Sequence, residues 1–464
     1  MTAPTRFSPP PGVIYDEAAG VCRAESVLDP APVCEAPATS SAPVDRYAQI
    51  SHSHLIADAL RDSRPPIQRN WGNPFAHSLW AVLSGPVACS SAPDPVEPGD
   101  PVRSATPQGE AVVMNAPPLR GNLNEYDLSG GASATAVAWS VFNSTTPAET
   151  GTFAYVRNGA SDGTLLAASN DTSSLHKFTT SATMDDGSSI VAYTKATGED
   201  EPSSIVAHRI SAGGAVEGSE ITILPAAVRT TLPDAQLVAT ADGFVAVYRD
   251  GNDQLMAAAF NASGVAQGSP QNLGAAPRRY AVNRDESGHW VLAEIVSDNQ
   301  IRLRTFDGTR AAGVDETITT SGFSASLGLS VAMQEGGTMM VAWNKAGGGI
   351  MGAVFNGSGE GSGDPFEIRS SGLANTMSLA ADHRGNFVFA WEEAGAILAR
   401  IYNGTQAFTT PADFSSISMT GTSNSNVQAH VSDSGRLVLT WVRSSSSGGE
   451  TLQDLLRREY QLNY

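Results

Sequence analysis

The chain has 464 residues, a formal net charge of −19 and only 16% charged residues. So acidic a chain lacks the basic surface that nucleic-acid phosphates or anionic lipid headgroups require, and neither partner is expected. Hydrophobic content of 41% is ordinary for a globular protein, while 45 glycines and 27 prolines suit many short strands joined by turns.

No window approaches the ~18 uninterrupted apolar residues of a membrane-spanning helix. Residues 1–109 read as a Pro/Ala/Ser-rich extension, extended or disordered over 1–44 and 90–109. Residues 45–62 are expected to form its one short helix, with Tyr47, Ile50, Leu55 and Leu60 as apolar members and an Arg-Pro-Pro stop. His52 and His54, two apart, read as solvated side chains, and no metal site is expected. All three cysteines fall in this part: Cys22 and Cys34, spaced to close a small loop in an oxidising compartment, and Cys89.

Met1 is not followed by a secretory apolar core. Arg61, Arg64 and Arg69, however, precede a modestly apolar stretch at 75–87 and then Val87-Ala-Cys89-Ser-Ser-Ala-Pro-Asp-Pro. A basic segment, an apolar segment and a small residue before Cys with a Pro/Ser/Asp-rich tether is the layout of a bacterial lipoprotein signal. Two readings stand for Cys89, a lipidated N-terminus of a processed chain or a plain linker cysteine. The first conflicts with a Cys22–Cys34 disulfide, because cleavage at Cys89 discards both.

Residues 110–115, Glu-Ala-Val-Val-Met-Asn, form a lone strand with no partner nearby in sequence. From there to the end a pattern recurs about every 50 residues. Its clearest copies are Gly337-Thr-Met-Met-Val-Ala-Trp343, Gly385-Asn-Phe-Val-Phe-Ala-Trp391 and Gly435-Arg-Leu-Val-Leu-Thr-Trp441. Trp139, Tyr193 and Tyr248 mark earlier copies, and Glu294 stands where the fourth would have its aromatic. Acidic turns such as Met184-Asp-Asp-Gly and Asp433-Ser-Gly precede the run, as a hairpin between a first and second strand demands. Pairs of large apolar residues five apart follow it, as at Ile350…Phe355 and Ile397…Tyr402, and mark a third strand. Weaker fourth strands appear at 316–319 and 365–369.

Four antiparallel strands repeated seven times specify an all-β, seven-bladed β-propeller over 110–464. Radial stacking lets each sheet cover its neighbour, so the recurring Trp and Tyr residues are expected to pack between blades. The last unit ends after its third strand. Residues 110–115 are expected to supply the fourth and so lock the ring.

The units, an acidic turn, Gly, an apolar run and Ala-Trp followed by a strand such as Ile397-Leu-Ala-Arg-Ile-Tyr-Asn-Gly404, resemble repeats of bacterial surface and lipoprotein β-propellers. The resemblance covers roughly 120–464 and implies an envelope or extracellular location and binding without catalysis. Glu294 and the lengthened first two units depart from it. The turns carry one or two acids in place of a dense Asp ladder.

Functional residues are expected on the loops between second and third strands, which ring one mouth of a propeller channel. Acids there are Glu199, Asp200, Glu201, Asp250, Asp253, Asp298, Glu392 and Glu393. An acidic rim holds a cation, calcium being the candidate, or a basic partner; the plainer reading of each is a solvated loop acid. No nucleophile elbow, phosphate loop or dinucleotide fingerprint occurs, and no catalytic residue is assigned. Asn143, Asn170, Asn261, Asn356 and Asn403 begin Asn-x-Ser/Thr triplets that read as turn chemistry. The leading expectation is a non-catalytic binding or scaffold propeller at a bacterial surface, with a protein or glycan partner. Two alternatives stand beside it: a self-assembling virion or filament subunit, and a glycosidase- or lyase-type enzyme needing convergent carboxylates or arginines.

Overall fold

A computed structural model describes residues 13–16, 21–24, 87–88, 102 and 104–464, apart from 116–122, 124, 132, 142–149, 160–162, 170, 172, 197–201, 228–233, 321, 325–327, 362, 373, 375, 404–405, 408–422 and 448–449. Contacts divide the chain into two units, 1–97 and 98–464. Within the first, Val13–Asp16, Val21–Ala24 and Val87–Ala88 pair in that order as a small sheet. The expected helix at 45–62, His52, His54, Cys34 and Cys89 lie outside the described residues.

The second unit is a seven-bladed β-propeller. The inner strands of its blades are Tyr126–Gly130, Leu175–Thr183, Ala235–Thr240, Arg279–Arg284, Leu329–Met333, Met377–Ala381 and Ser423–Val431. Each packs beside the next, and the last packs beside the first. Within a blade, antiparallel hairpins lead outward strand by strand.

The recurring landmark sits near the end of every second strand, and its seven residues are all buried. Trp139, Tyr193, Tyr248, Trp343, Trp391 and Trp441 are at most 3% exposed, as is Glu294. Apolar clusters span neighbouring blades, one joining Val388, Ala390 and Ile401 of blade 6 to Leu437, Leu439 and Trp441 of blade 7. A four-stranded sheet alone has two apolar faces, and only stacking buries both.

Blade 7 takes its outer strand from the start of the unit. Glu450–Asn463 pairs with Ser104–Pro107 and then with Val112–Val113. The pairing therefore begins six residues upstream of residue 110 and is interrupted midway. Pro107 fits there because an outermost strand leaves one edge without ladder partners, so a missing N–H costs nothing. Val102 and Met114 are buried beside these strands, and Asn115 bonds through its side chain to Gln453 O (3.0 Å) and Leu455 N (2.5 Å).

Candidate functional site

The seven inner strands enclose a central channel of about 850 Å³. Because each belongs to a different sheet, its inward edge has no ladder partner, and its N–H groups need acceptors. The sequence answers with one polar side chain per junction. Asp127 Oδ2 accepts from Ser181 N (2.7 Å), Thr180 Oγ1 from Leu237 N (3.1 Å) and Gln236 Oε1 from Val282 N (3.1 Å). Asn283 Oδ1 accepts from Met333 N (3.2 Å), Ser330 Oγ from Leu379 N (2.9 Å), Ser378 Oγ from Ala429 N (3.0 Å) and Gln428 Oε1 from Leu128 N (2.9 Å). The belt closes on itself through all seven blades. Much of the channel's polarity is thus structural, which the sequence reading did not anticipate. The signal was present: six of the seven residues pair opposite the residue just before the landmark.

The two mouths differ. At the mouth shared with the second-to-third-strand loops stand Glu125, Phe178, Asp234, Arg249, Arg278 and Arg279. Two inner strands bulge here, blade 2 between Lys177 and Thr180 and blade 7 between Ser425 and Gln428. Phe178 and Asn426 within those bulges have φ near +52° and +53°, a left-handed conformation that is uncommon for asparagine and costly for a bulky residue. Each is over-determined by a bond to the neighbouring blade: Phe178 N donates to the Glu125 carboxylate, and Asn426 O accepts from Tyr126 OH. Backbone held in such conformations clusters at ligand sites.

Burial pushes the Glu125 and Asp234 carboxyls up from the usual carboxylate range, against the bond from Phe178 N at the first and the Arg249 charge at the second. Arg249 is tied to Pro277 O (2.9 Å), and Arg278 pairs with Asp298. Arg279 is exposed and has no hydrogen-bond or ion-pair partner among the described residues. This mouth offers a half-buried aromatic ring, a free guanidinium and two carboxyls of raised proton affinity.

The opposite mouth carries Asp185, Arg284, Glu286, Glu335, Asp433 and His430. Burial first, then the hydrogen bond to Asp433 with its charge and that of Glu335, pushes the Glu286 carboxyl up to about 7. The folded state therefore holds a proton the unfolded chain releases, and Glu286 loses its stabilising contribution as pH rises from about 4.5 through 7. Burial sends His176 and His430 the other way, down to about 4, so their contributions are lost as pH falls from about 6.5. The isolating measurement is the difference in melting temperature between the protein and Glu286→Gln. That difference should shrink between pH 5 and 7.5, and a constant difference would disprove the assignment.

The loop acids do not converge. Asp250 caps its own turn, accepting from Asn252 N (2.8 Å) and Gln254 N (2.9 Å). Asp253 meets Arg249 at 3.4 Å. Glu392 accepts from Gly395 N (2.9 Å), and Glu393 binds Arg369 (2.7 Å) and the Trp391 indole N–H (3.2 Å). Glu199, Asp200 and Glu201 lie outside the described residues. No group of three or more metal-ligating side chains gathers among the described residues. Asn261 and Asn356 do perform turn chemistry, each accepting N–H groups two and four residues on.

No protein-family model matches the chain, and no curated protein does. Among solved structures, the WD40 domain of Toxoplasma gondii coronin superposes with a TM-score of 0.46 at 11% identity, over 79% of this chain and 90% of that one. A protein of unknown function from Dyadobacter fermentans gives 0.45 at 12% identity, over 78% and 100%. The SapL1 lectin in complex with α-methyl fucoside gives 0.40 at 11%, over 61% and 94%. Likeness at this level assigns neither family nor ligand.

Proposed function

We propose that the protein is a non-catalytic binding propeller that engages a protein or glycan segment at the channel mouth formed by Glu125, Phe178, Asp234 and Arg279. The observation that carries this reading is the free Arg279 beside two carboxyls of raised proton affinity and an aromatic ring, on backbone locked in costly conformations. A ring face, a fork of donors and neighbouring acceptors suit a ligand bearing both hydroxyl or amide donors and acceptors.

The test is an array of glycans and peptides, followed by titration of the best ligand. Arg279→Ala should weaken it about tenfold or more, roughly 1.4 kcal/mol, while Arg302→Ala on the outside of blade 4 should leave it unchanged. Equal affinity in the protein, Arg279→Ala and Glu125→Gln would overturn the reading. A glycosidase reading would rest on Glu125 and Asp234 as its carboxyl pair. Turnover of the bound glycan, lost in Glu125→Gln while binding persists, would favour it over the binder. A cell-surface location belongs to the same proposal and is supported by the layout of 61–89. An intact mass of the native protein that includes residue 1 would rule out lipidation at Cys89.

A further inference from the structure

The channel mouth away from Phe178 and Arg279 is ringed by the turns between first and second strands. Two side chains of blade 4 reach across it. Arg284, the last residue of that blade's inner strand, donates to Thr183 O (3.3 Å) and to Asp185 (3.0 Å) of blade 2. Glu286, in the turn that follows, meets Asp433 of blade 7 carboxyl to carboxyl in a hydrogen bond. Blades 4 and 7 are three places apart, the farthest that a ring of seven allows. The belt bonds deeper in the channel join only neighbouring blades.

Two ionised carboxyls at hydrogen-bond distance repel, so the contact exists only while one of them keeps a proton to donate. Partial burial first, then the Asp433 bond and charge and the Glu335 charge from blade 5, push the Glu286 carboxyl up to about 7. Arg284 pulls the other way, but its charge is engaged by Asp185.

The other ionisable groups around the pair are committed elsewhere. Asp285 accepts from His289 N (2.9 Å) and faces its ring (3.2 Å), and Asp382 accepts from Asn386 N (2.7 Å) and Tyr464 OH (3.0 Å). Burial keeps His430 uncharged down to about 4, and Arg436 donates to Gly159 O at 2.9 Å. Glu286 and Asp433 each keep an exposed side, so protons from solvent reach the pair directly.

We propose that Glu286, Asp433 and Arg284 form a proton-operated latch across this mouth. With the shared proton in place, the channel is a cup whose open end is the mouth of Glu125 and Arg279. When that proton leaves for solvent, the carboxylates of blades 4, 5 and 7 repel and Glu286 swings off Asp433. The latch therefore closes on acidification and releases as pH rises past neutral. What it regulates is access to the channel from its second end.

Carbon-13 labelling of glutamate carboxyls, with the Glu286 signal assigned by its loss in Glu286→Gln, reads the proton in the full chain. That signal should titrate near pH 7 in the unmodified protein. In Asp433→Asn the amide donates to the Glu286 carboxylate without a shared proton, so the midpoint should fall by about one pH unit or more. Crystals at pH 6 and pH 8.5 read the latch itself. The two carboxyls should touch in the first and stand apart in the second, while Asp433→Asn stays latched in both. A midpoint in the ordinary carboxylate range, or one unmoved by Asp433→Asn, overturns the proposal. So does a contact that persists at pH 8.5 in the unmodified protein, with or without a cation bridging it.

Discussion

A chain beginning at Pro118 should melt far below one beginning at Pro101, because the shorter chain lacks the strand that closes the ring. Ser104–Pro107 and Val112–Val113 together supply the outer edge of blade 7, and Val102 and Met114 are buried with them. Burying two such side chains contributes about 1.5–3 kcal/mol each, and the paired backbone groups and the Asn115 bonds about 1 kcal/mol apiece. The sum, on the order of 5–10 kcal/mol, rivals the whole stability of an ordinary domain. Loss is compounded because the exposed edge of Glu450–Asn463 becomes a template for pairing with other chains. Circular dichroism melts of the two chains, with light scattering to follow aggregation, read the result. Coincident melting curves would show that the ring holds without its closing strand.

The landmark aromatics were legible because one physical demand acts at the same register in every blade: the end of the second strand is covered from both sides. That demand selects size and apolarity, so it leaves a visible trace at Trp139, Trp343, Trp391 and Trp441. The belt that caps the inner strands answers an equally strict demand, yet Asp127, Thr180, Gln236, Asn283, Ser330, Ser378 and Gln428 share no identity. An acceptor oxygen at one register is all that is required, and five residue types supply it. The closing strand was half visible. Residues 110–115 carry apolar character, whereas Ser-Ala-Thr-Pro at 104–107 looks like a linker until its edge position removes the objection to Pro107.

The acids of the second-to-third-strand loops drew attention by their charge, but charge in a turn finds local partners, as Asp250, Asp298 and Glu393 do. The residues that shape the channel mouth, Glu125 and Asp234, sit in the connections that enter the inner strands and belong to no motif. What distinguishes them is burial beside a bulged neighbour, a tertiary property.

Replacing Arg304 alone should cost about 3–5 kcal/mol, the range for stranding one member of a buried ion pair. Glu294 occupies the landmark position of blade 4 and is 3% exposed; its partner Arg304 is 8% exposed. Arg304 Nε donates to Glu294 Oε2 at 2.9 Å, a second guanidinium nitrogen approaches the same oxygen at 2.7 Å, and a third donates to Leu273 O at 3.0 Å. Burial pushes the Glu294 carboxyl up from its ordinary range, and the Arg304 charge draws it back. In Arg304→Met the upward push of burial is opposed only by the weaker pull of the Arg302 charge, so the folded variant holds a proton that the unfolded chain releases. Its stability should therefore fall as pH rises from about 4.5, and its melting temperature should be higher at pH 5 than at pH 8. Glu294→Leu with Arg304→Met restores the apolar landmark of the other blades. That double variant should recover most of the loss, because well-packed apolar pairs commonly match buried ion pairs. Urea unfolding of both single variants and the double variant completes the cycle. A double variant as unstable as Arg304→Met would show that the guanidinium's bond to Leu273 O, and not its pairing with Glu294, holds blade 4 together.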